Sequence, residues 1–321
     1  MLQLSGRALT ASALDSELFV DREPELKAIE RASRLRFNVY LEGQAGTGKT
    51  SLLRRVQARA EQPLAFVSAA SIGDFDELLV VLAKALGPAA NYVVEVGSGS
   101  LLERLRAVTA GARTDTGPTI LVDVLDPRLR HELFGRQRDE LWELPIRWVV
   151  SGRDRLVPPA DAFFEMQLRL ELLGSNELHE MLERRAATGD EVERGRMLEL
   201  AGSLPLLLAP ASPRALLAAA RSVMVSPDPP AALRELRRQR DARVHLSGPG
   251  LRVLEALDAL GPTYAGDERL LREVGTSRSR VVQLLRELEE DGLVVASRDG
   301  RRKLYGASEL SLSAPEPAGV R

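Results

Sequence analysis

Gly43-Gln44-Ala45-Gly46-Thr47-Gly48-Lys49-Thr50 matches G-x-x-x-x-G-K-[ST] at every fixed position. In this pattern the glycines let backbone N–H groups turn inward around a phosphate. The lysine reaches β- and γ-phosphates and the hydroxyl holds Mg²⁺. Lys49 and Thr50 are the residues for those two tasks, and Ser51 follows at the start of a helix. The chemistry is nucleotide phosphate binding, with ATP and Mg²⁺ as the expected cofactors. A second candidate is Ile120-Leu121-Val122-Asp123, an apolar strand ending in an acid that can orient the water shell of Mg²⁺. The position after it is Val124, where a residue that activates water for hydrolysis usually stands. Asp126, two residues further, is the other carboxylate in reach. Binding is therefore better founded than hydrolysis.

The elements around these residues fit. Phe37–Leu41 reads as a short buried strand before the loop, and Ser51–Ala58 opens a helix whose N-terminal dipole favours an anion. Further apolar runs at Pro63–Ser68, Thr119–Val124, Ile146–Ser151 and Glu165–Leu172 alternate with helical patterns at Asp74–Leu86, Ser100–Ala112 and His131–Leu144. Near-continuous apolar strands alternating with helices predict a parallel sheet covered on both faces. After Leu172 the pattern is helical, at Ser175–Thr188, Glu191–Leu200 and Pro213–Val225. Ser226-Pro227-Asp228-Pro229-Pro230 breaks the chain. An arginine-rich helix follows, with Arg234, Arg237, Arg238, Arg240 and Arg243. The fold class expected is α/β: a P-loop parallel-sheet core over 1–172, an all-α lid over 173–226, and a linker helix with a helix-turn-helix module over 227–312. Residues 313–321 are expected to be a disordered tail.

Within the last module, Leu251, Val253, Leu254 and Leu257 form a helical apolar stripe. Glu268–Val274 is a second helix and Ser279–Asp291 a third. Gly292–Ala296 reads as a strand, and Arg298–Lys303 as a basic hairpin with Asp-Gly at its tip. Ser277, Arg278, Ser279, Arg280 and Gln283 lie at the start of the third helix, where side chains can reach major-groove base edges. Arg301, Arg302 and Lys303 can meet phosphates. Double-stranded DNA is the expected partner. Against it, residues 246–308 carry 10 basic and 10 acidic residues, and such modules also dock on protein.

Composition narrows the classes. The 321 residues include no cysteine, which excludes disulfides and thiolate chemistry. The three histidines, His131, His179 and His245, are far apart in sequence, against a histidine metal site. Net charge is −2, so a nucleic-acid contact must come from a local patch. Basic residues are almost all arginine: only Lys27, Lys49, Lys84 and Lys303 are lysine. That bias suits a GC-rich bacterial coding sequence, and it makes a lysine in the phosphate loop a chemical requirement. There is no membrane-length apolar run and no signal pattern at the N-terminus, so no membrane contact and a cytoplasmic location are expected.

These motifs resemble the AAA+ and STAND ATPases, especially the origin-recognition or initiator-like branch. Phe19-Val20-Asp21-Arg22-Glu23-Pro24-Glu25-Leu26 is similar to the F-V-G-R-E-x-E-L box that precedes the P-loop there, with Asp21 in place of glycine. The resemblance implies that this box, with Arg22, packs near the adenine. Ile146–Arg153 is similar to the sensor 1 strand, with Ser151 at the polar position and Arg153 at the arginine directed to the γ-phosphate. Gly202-Ser203-Leu204-Pro205-Leu206 resembles the G-x-P box of STAND lids. Ala211–Leu217 resembles the sensor 2 segment, with Arg214 swinging onto the γ-phosphate, and is the better of the two. The C-terminal run resembles winged helices of the MarR and ArsR kind. Together they imply ATP or ADP between core and lid, a lid angle set by Lys49, Arg153 and Arg214, and a nucleotide-controlled winged helix. Two functions stand: a switch that binds DNA, and a signalling or partner-loading ATPase whose winged helix docks on a partner protein or on another copy. A small-molecule kinase is disfavoured, because a substrate domain is missing and a winged helix is present.

Overall fold

The computed structural model describes residues 3–10, 12–61, 64–89, 101–109, 117–246, 248–299 and 302–308. The chain divides into two compact units. One comprises Ala8–Gln44 and Gly48–Glu171. The other comprises Met1–Arg7, Ala45–Thr47 and Leu172–Arg321.

The first unit holds β1 (Val39–Glu42), β2 (Ala65–Ser68), β3 (Thr119–Asp123), β4 (Arg147–Gly152) and β5 (Met166–Arg169) in one sheet. Their order is β2-β3-β4-β1-β5, and every pairing is parallel. The register sets Leu41 beside Ser151 and Val122 beside Val150. Side chains alternate between two cores. Tyr40, Ile120, Val122, Trp148 and Val150 enter one, with Leu78, Leu82 and Leu86 of α4 (Phe75–Ala89). Val39, Leu41, Leu121 and Val149 enter the other, with Leu26 and Ile29 of α2 (Glu23–Leu35) and Leu52 and Leu53 of α3 (Lys49–Arg59). Burial on both faces is why β1, β3 and β4 read as near-continuous apolar runs, whereas β5, at the sheet edge, alternates half-buried and exposed residues. A short α1 (Ala13–Glu17) precedes α2, and α5 (Leu101–Thr109) precedes β3.

One expected helix is broken. The stretch His131–Leu144 is divided among the end of α6 (Pro127–His131), a π turn at Glu132–Arg136 and α7 (Arg138–Trp142). Gly135 lies in the π turn, where it is a poor helix former. The aromatic core also claims this stretch. Phe134 lies edge-on to Trp148 at 5.2 Å and within 4.9 Å of Phe163 and Phe164.

The second unit begins with α8 (Ser175–Ala186), α9 (Glu191–Leu208), α10 (Pro213–Val225) and α11 (Pro229–Val244). Asp190 opens α9 with a capping box to Glu193, and Ser212 and Asp228 cap α10 and α11. α9 runs past Leu200, where the sequence pattern predicts its end, and carries Pro205 inside it. A proline there has no N–H for the carbonyl four residues back, which is Ala201. His179 of α8 meets that carbonyl through Nδ1 at 2.8 Å. A carbonyl only accepts, so Nδ1 carries the proton.

The C-terminal part has α12 (Gly248–Leu260), α13 (Glu268–Val274) and α14 (Arg278–Glu290) around Val253, Leu254, Leu257, Leu270, Val281, Leu284, Leu285 and Leu288. β6 (Thr263–Tyr264), β7 (Val294–Asp299) and β8 (Arg302–Ala307) form an antiparallel sheet in the order β6-β8-β7. β6 has only two residues, too few for a period-2 pattern to reveal. The hairpin pairs as far as Asp299 with Arg302. Its tip, Gly300 and Arg301, lies outside the described residues, as does the expected tail at 313–321. No helix among the described residues is long and apolar enough to cross a membrane.

The proline and histidine of the helical unit should be coupled. His179→Ala is expected to cost about 1 kcal/mol, and markedly less in a Pro205→Ala background, where residue 205 can donate to Ala201 itself. Urea unfolding followed by helical circular dichroism on the four chains of this cycle measures it.

Candidate functional site

The carboxyl ends of β3, β4 and β1 are neighbours in the sheet, and each delivers one sequence-predicted group. The loop Gly43–Gly48 leaves β1 and runs into α3. Gly46 and Gly48 adopt φ of 80° and 98°, the left-handed region that disfavours a side chain. Gly43 N–H donates to the Gly152 carbonyl at 3.2 Å, tying the start of the loop to the end of β4. Lys49, the first residue of α3, is 5% exposed. Its ammonium donates to the carbonyls of Gly43 and Gln44. Burial and then the neighbouring Arg153 push it down to about 8, against the opposing pull of Asp123. Asp154 adds to that opposing pull, so Lys49 sits among charges of both signs.

Asp123 closes β3 and is 3% exposed. It accepts from the Thr50 hydroxyl at 2.7 Å and from the Ser151 hydroxyl at 2.8 Å. Ser151, fully buried, also accepts from Val124 N–H at 2.9 Å. Both capacities of its hydroxyl are spent on aligning the Asp123 turn. Val124 has φ of 55°, an outlier for a β-branched residue. Asp126 is exposed and accepts from Arg128 N–H at 2.8 Å as the N-cap of α6. That cap explains an acid at this position without any role in hydrolysis.

Asp21 and Arg22 have φ of 57° and 70°. An aspartate tolerates the left-handed region better than most residues, which is how it stands where similar boxes have glycine. Arg22 is 7% exposed. It pairs with Glu25 at 3.0 Å and donates to the Glu171 carbonyl, so its guanidinium ties the box to the chain just after β5. Ser51 accepts from Leu9 N–H at 3.0 Å, and Arg55 donates to Ser16. The sequence carries no motif for this N-terminal segment, so its packing on α3 is visible only in the structure. Tyr40 and Arg130, described below, escape sequence reasoning for the same reason.

Ala45–Thr47, the tip of the loop, groups with the second unit. There a Cβ on Gly46 would lie 2.8 Å from Arg214 Cβ and 3.2 Å from Ser212 Oγ. Arg214 is in the first turn of α10. Thr47 is 1% exposed. Pro205 is buried within α9, so the 202–206 segment is helix.

On the C-terminal part, Ser277 caps α14 and accepts from Arg280 N–H at 3.4 Å. Ser279 shares a 3.1 Å hydroxyl contact with Ser277. Arg278 is exposed and lies over Gly266. Arg280 approaches Glu287 at 3.7 Å, and Gln283 donates to Glu287 at 2.8 Å. Arg302 covers the Tyr264 ring at 5.3 Å. Lys303 pairs with Glu289 at 2.7 Å. Arg301 lies outside the described residues.

Residues 34–182 match the AAA domain family. No curated protein matches the chain. Among solved structures, the chain is similar to the Walker-type ATPase PABY2304 of Pyrococcus abyssi, at 17% identity and a TM-score of 0.51. That match covers 96% of this chain and 98% of the other. It is also similar to Cdc6p from Pyrobaculum aerophilum, with 15% identity, coverage of 91% and 93%, and a TM-score of 0.48. A third is a single-substitution variant of RuvB from Thermotoga maritima, with 16% identity, coverage of 96% for both chains, and a TM-score of 0.46. At such identity the PABY2304 likeness speaks to fold alone.

Lys49 should titrate near pH 8 in the ligand-free chain. Its pKa is depressed relative to the unfolded chain, so between about 8 and 10.5 the unfolded state holds more protons and stability rises with pH. An anion favours the ammonium. Phosphate-ligand affinity should therefore be full below pH 8 and fall above it, by up to about tenfold per pH unit. Calorimetry across pH 7–9.5 checks this, with Lys49→Arg as the variant expected to flatten the profile.

Proposed function

We propose that this chain is an ATP-binding switch of the AAA+ class whose nucleotide state controls DNA binding by its C-terminal module, a winged helix. The observation that carries the reading is the loop geometry: Gly46 and Gly48 in the left-handed region lead into a buried Lys49 at the head of α3, with Thr50 hydrogen-bonded to Asp123. In this reading Gly43–Gly48 cradle the phosphates with backbone N–H groups, and Ser51 continues them into α3. Lys49 leaves its two loop carbonyls for β- and γ-oxygens. Thr50 and Asp123, already joined by a hydrogen bond, have the oxygen donors that suit Mg²⁺. When bound, the metal supplies positive charge against the β- and γ-oxygens. Arg153 and Arg214 read whether a γ-phosphate is present. Hydrolysis is slow in the isolated chain, because Val124 cannot polarise water and the Asp126 carboxylate is engaged as a cap.

The order α12, β6, α13, α14, β7, β8 supports the winged-helix reading. Arg278 and Arg280 at the head of α14 suit guanine edges, and Arg302 and Lys303 on β8 suit phosphates. A second reading, in which the module docks on protein, is favoured by the acidic neighbours already holding several of these groups: Glu289 on Lys303, and Glu287 on Gln283 and Arg280.

Lys49→Ala should lower MgATP affinity by about tenfold or more, through loss of a charge-assisted contact; unchanged calorimetric affinity overturns the nucleotide site. Duplex titrations of the full chain with and without ATP, at several salt concentrations, test the rest. Arg278 and Arg280 variants should change sequence preference. Arg302 and Lys303 variants should weaken all duplexes alike and flatten the salt slope by about one unit per lost contact. If no duplex binds in either nucleotide state, the protein-docking reading replaces this one.

A further inference from the structure

Arg130, in α6, is 4% exposed. Among the described residues it forms no ion pair with a carboxylate. A buried guanidinium without a counter-charge is costly, so its remaining contacts are informative. It donates to the Tyr40 hydroxyl and lies over the Tyr40 ring at 5.2 Å. The Tyr40 hydroxyl donates in turn to the Asp154 carbonyl at 2.6 Å. Both groups press on the end of β4. A Cβ on Gly152 would lie 2.1 Å from the Tyr40 hydroxyl and 2.6 Å from Arg130 Nη1, so only glycine fits there. Tyr40 comes from β1, just before the phosphate loop. Arg130 comes from the helix that follows Asp123. Asp154 follows Arg153 on the turn after β4. The pair therefore grips both sides of Arg153, at Gly152 and at Asp154, while leaving that side chain exposed.

We infer that Arg130 and Tyr40 are positioning residues that fix the Gly152–Asp154 turn, and so aim Arg153 at the terminal phosphate that separates a nucleoside triphosphate from a diphosphate. The inference rests on the nucleotide reading above. The planar guanidinium fork is the group for this task. It can donate to Tyr40 from one edge while stacking on its ring, which a lysine ammonium does not reproduce.

The test is calorimetric titration of the full chain with MgATP and MgADP. It covers wild type, Arg130→Gln, Tyr40→Phe, Arg153→Ala, and each of the first two variants combined with Arg153→Ala. Arg130→Gln and Tyr40→Phe should each lower the preference for ATP over ADP by about tenfold, with ADP affinity held within about twofold. Neither should lower the preference further once Arg153 is alanine, because they act through it. Tyr40→Phe keeps the ring and the packing, so it carries the test where Arg130→Gln fails to fold. Equal loss of ATP and ADP, or losses that add to Arg153→Ala, make the pair a structural brace only and overturn the inference. So does a wild type that binds both nucleotides without preference. A wild type that binds neither nucleotide overturns the nucleotide reading itself, and the inference with it.

Discussion

Asp123 is where three parts of the candidate site meet. Its carboxylate takes one hydrogen bond from Thr50, at the head of α3, and another from Ser151, near the end of β4. A buried carboxylate with a single partner would be poorly solvated and free to turn. With two, its oxygens are fixed, and so are the segments that deliver the donors. The backbone adds to this. Ala69 N–H donates to the Asp123 carbonyl at 2.8 Å, and Leu125 N–H to the Ser151 carbonyl at 3.0 Å. The strand ends are therefore tied across β2, β3 and β4 at the level where the phosphate loop leaves β1.

Around that carboxylate the chain tolerates local conflicts that a plain sheet would avoid. Val124 holds a left-handed backbone, which costs a β-branched residue about 1–2 kcal/mol. Its N–H is thereby presented to Ser151, and the chain turns in time for Asp126 to cap α6. Lys49 is desolvated beside another cation. Arg130 is buried with a tyrosine hydroxyl and ring as partners, and burial pushes that phenol up to about 12, so it stays a neutral donor to Asp154. Strain and desolvation gathered at one end of a sheet mark a region shaped by something other than stability.

The two units differ in what holds them. The α/β unit buries both faces of its sheet, and its helices add apolar layers over Tyr40, Trp148 and Val150 on one side and Leu41, Leu121 and Val149 on the other. The helices of the second unit bury Leu178, Leu182, Met197, Leu204 and Leu216, and add end groups: the capping box at Asp190, the caps at Ser212 and Asp228, and the His179 contact that satisfies the carbonyl left open by Pro205.

Much of this is legible in the residues alone. Lys49, Thr50 and Asp123 are readable because the G-x-x-x-x-G-K-[ST] pattern and an apolar strand ending in an acid pick them out by type and spacing, and the structure joins Thr50 to Asp123. The central strands β1, β3 and β4 are readable because sheet faces buried on both sides leave near-continuous apolar runs, and the end of α10 because the Ser226–Pro230 breaker follows it. Strand ends shift by one to three residues, since pairing with neighbours decides where a ladder stops. Other features depend on what distant segments contribute. The residues over His131–Leu144 read as one helix, but the aromatic core around Phe134 introduces a π turn. α9 passes through Pro205 because His179, from another helix, takes the freed carbonyl. Arg130 and Tyr40 lie 90 residues apart in no motif. Sequence determines chemistry where local spacing suffices; the partner of a buried polar group is chosen by which strands and helices are brought together, and that is decided only when the whole sheet has formed.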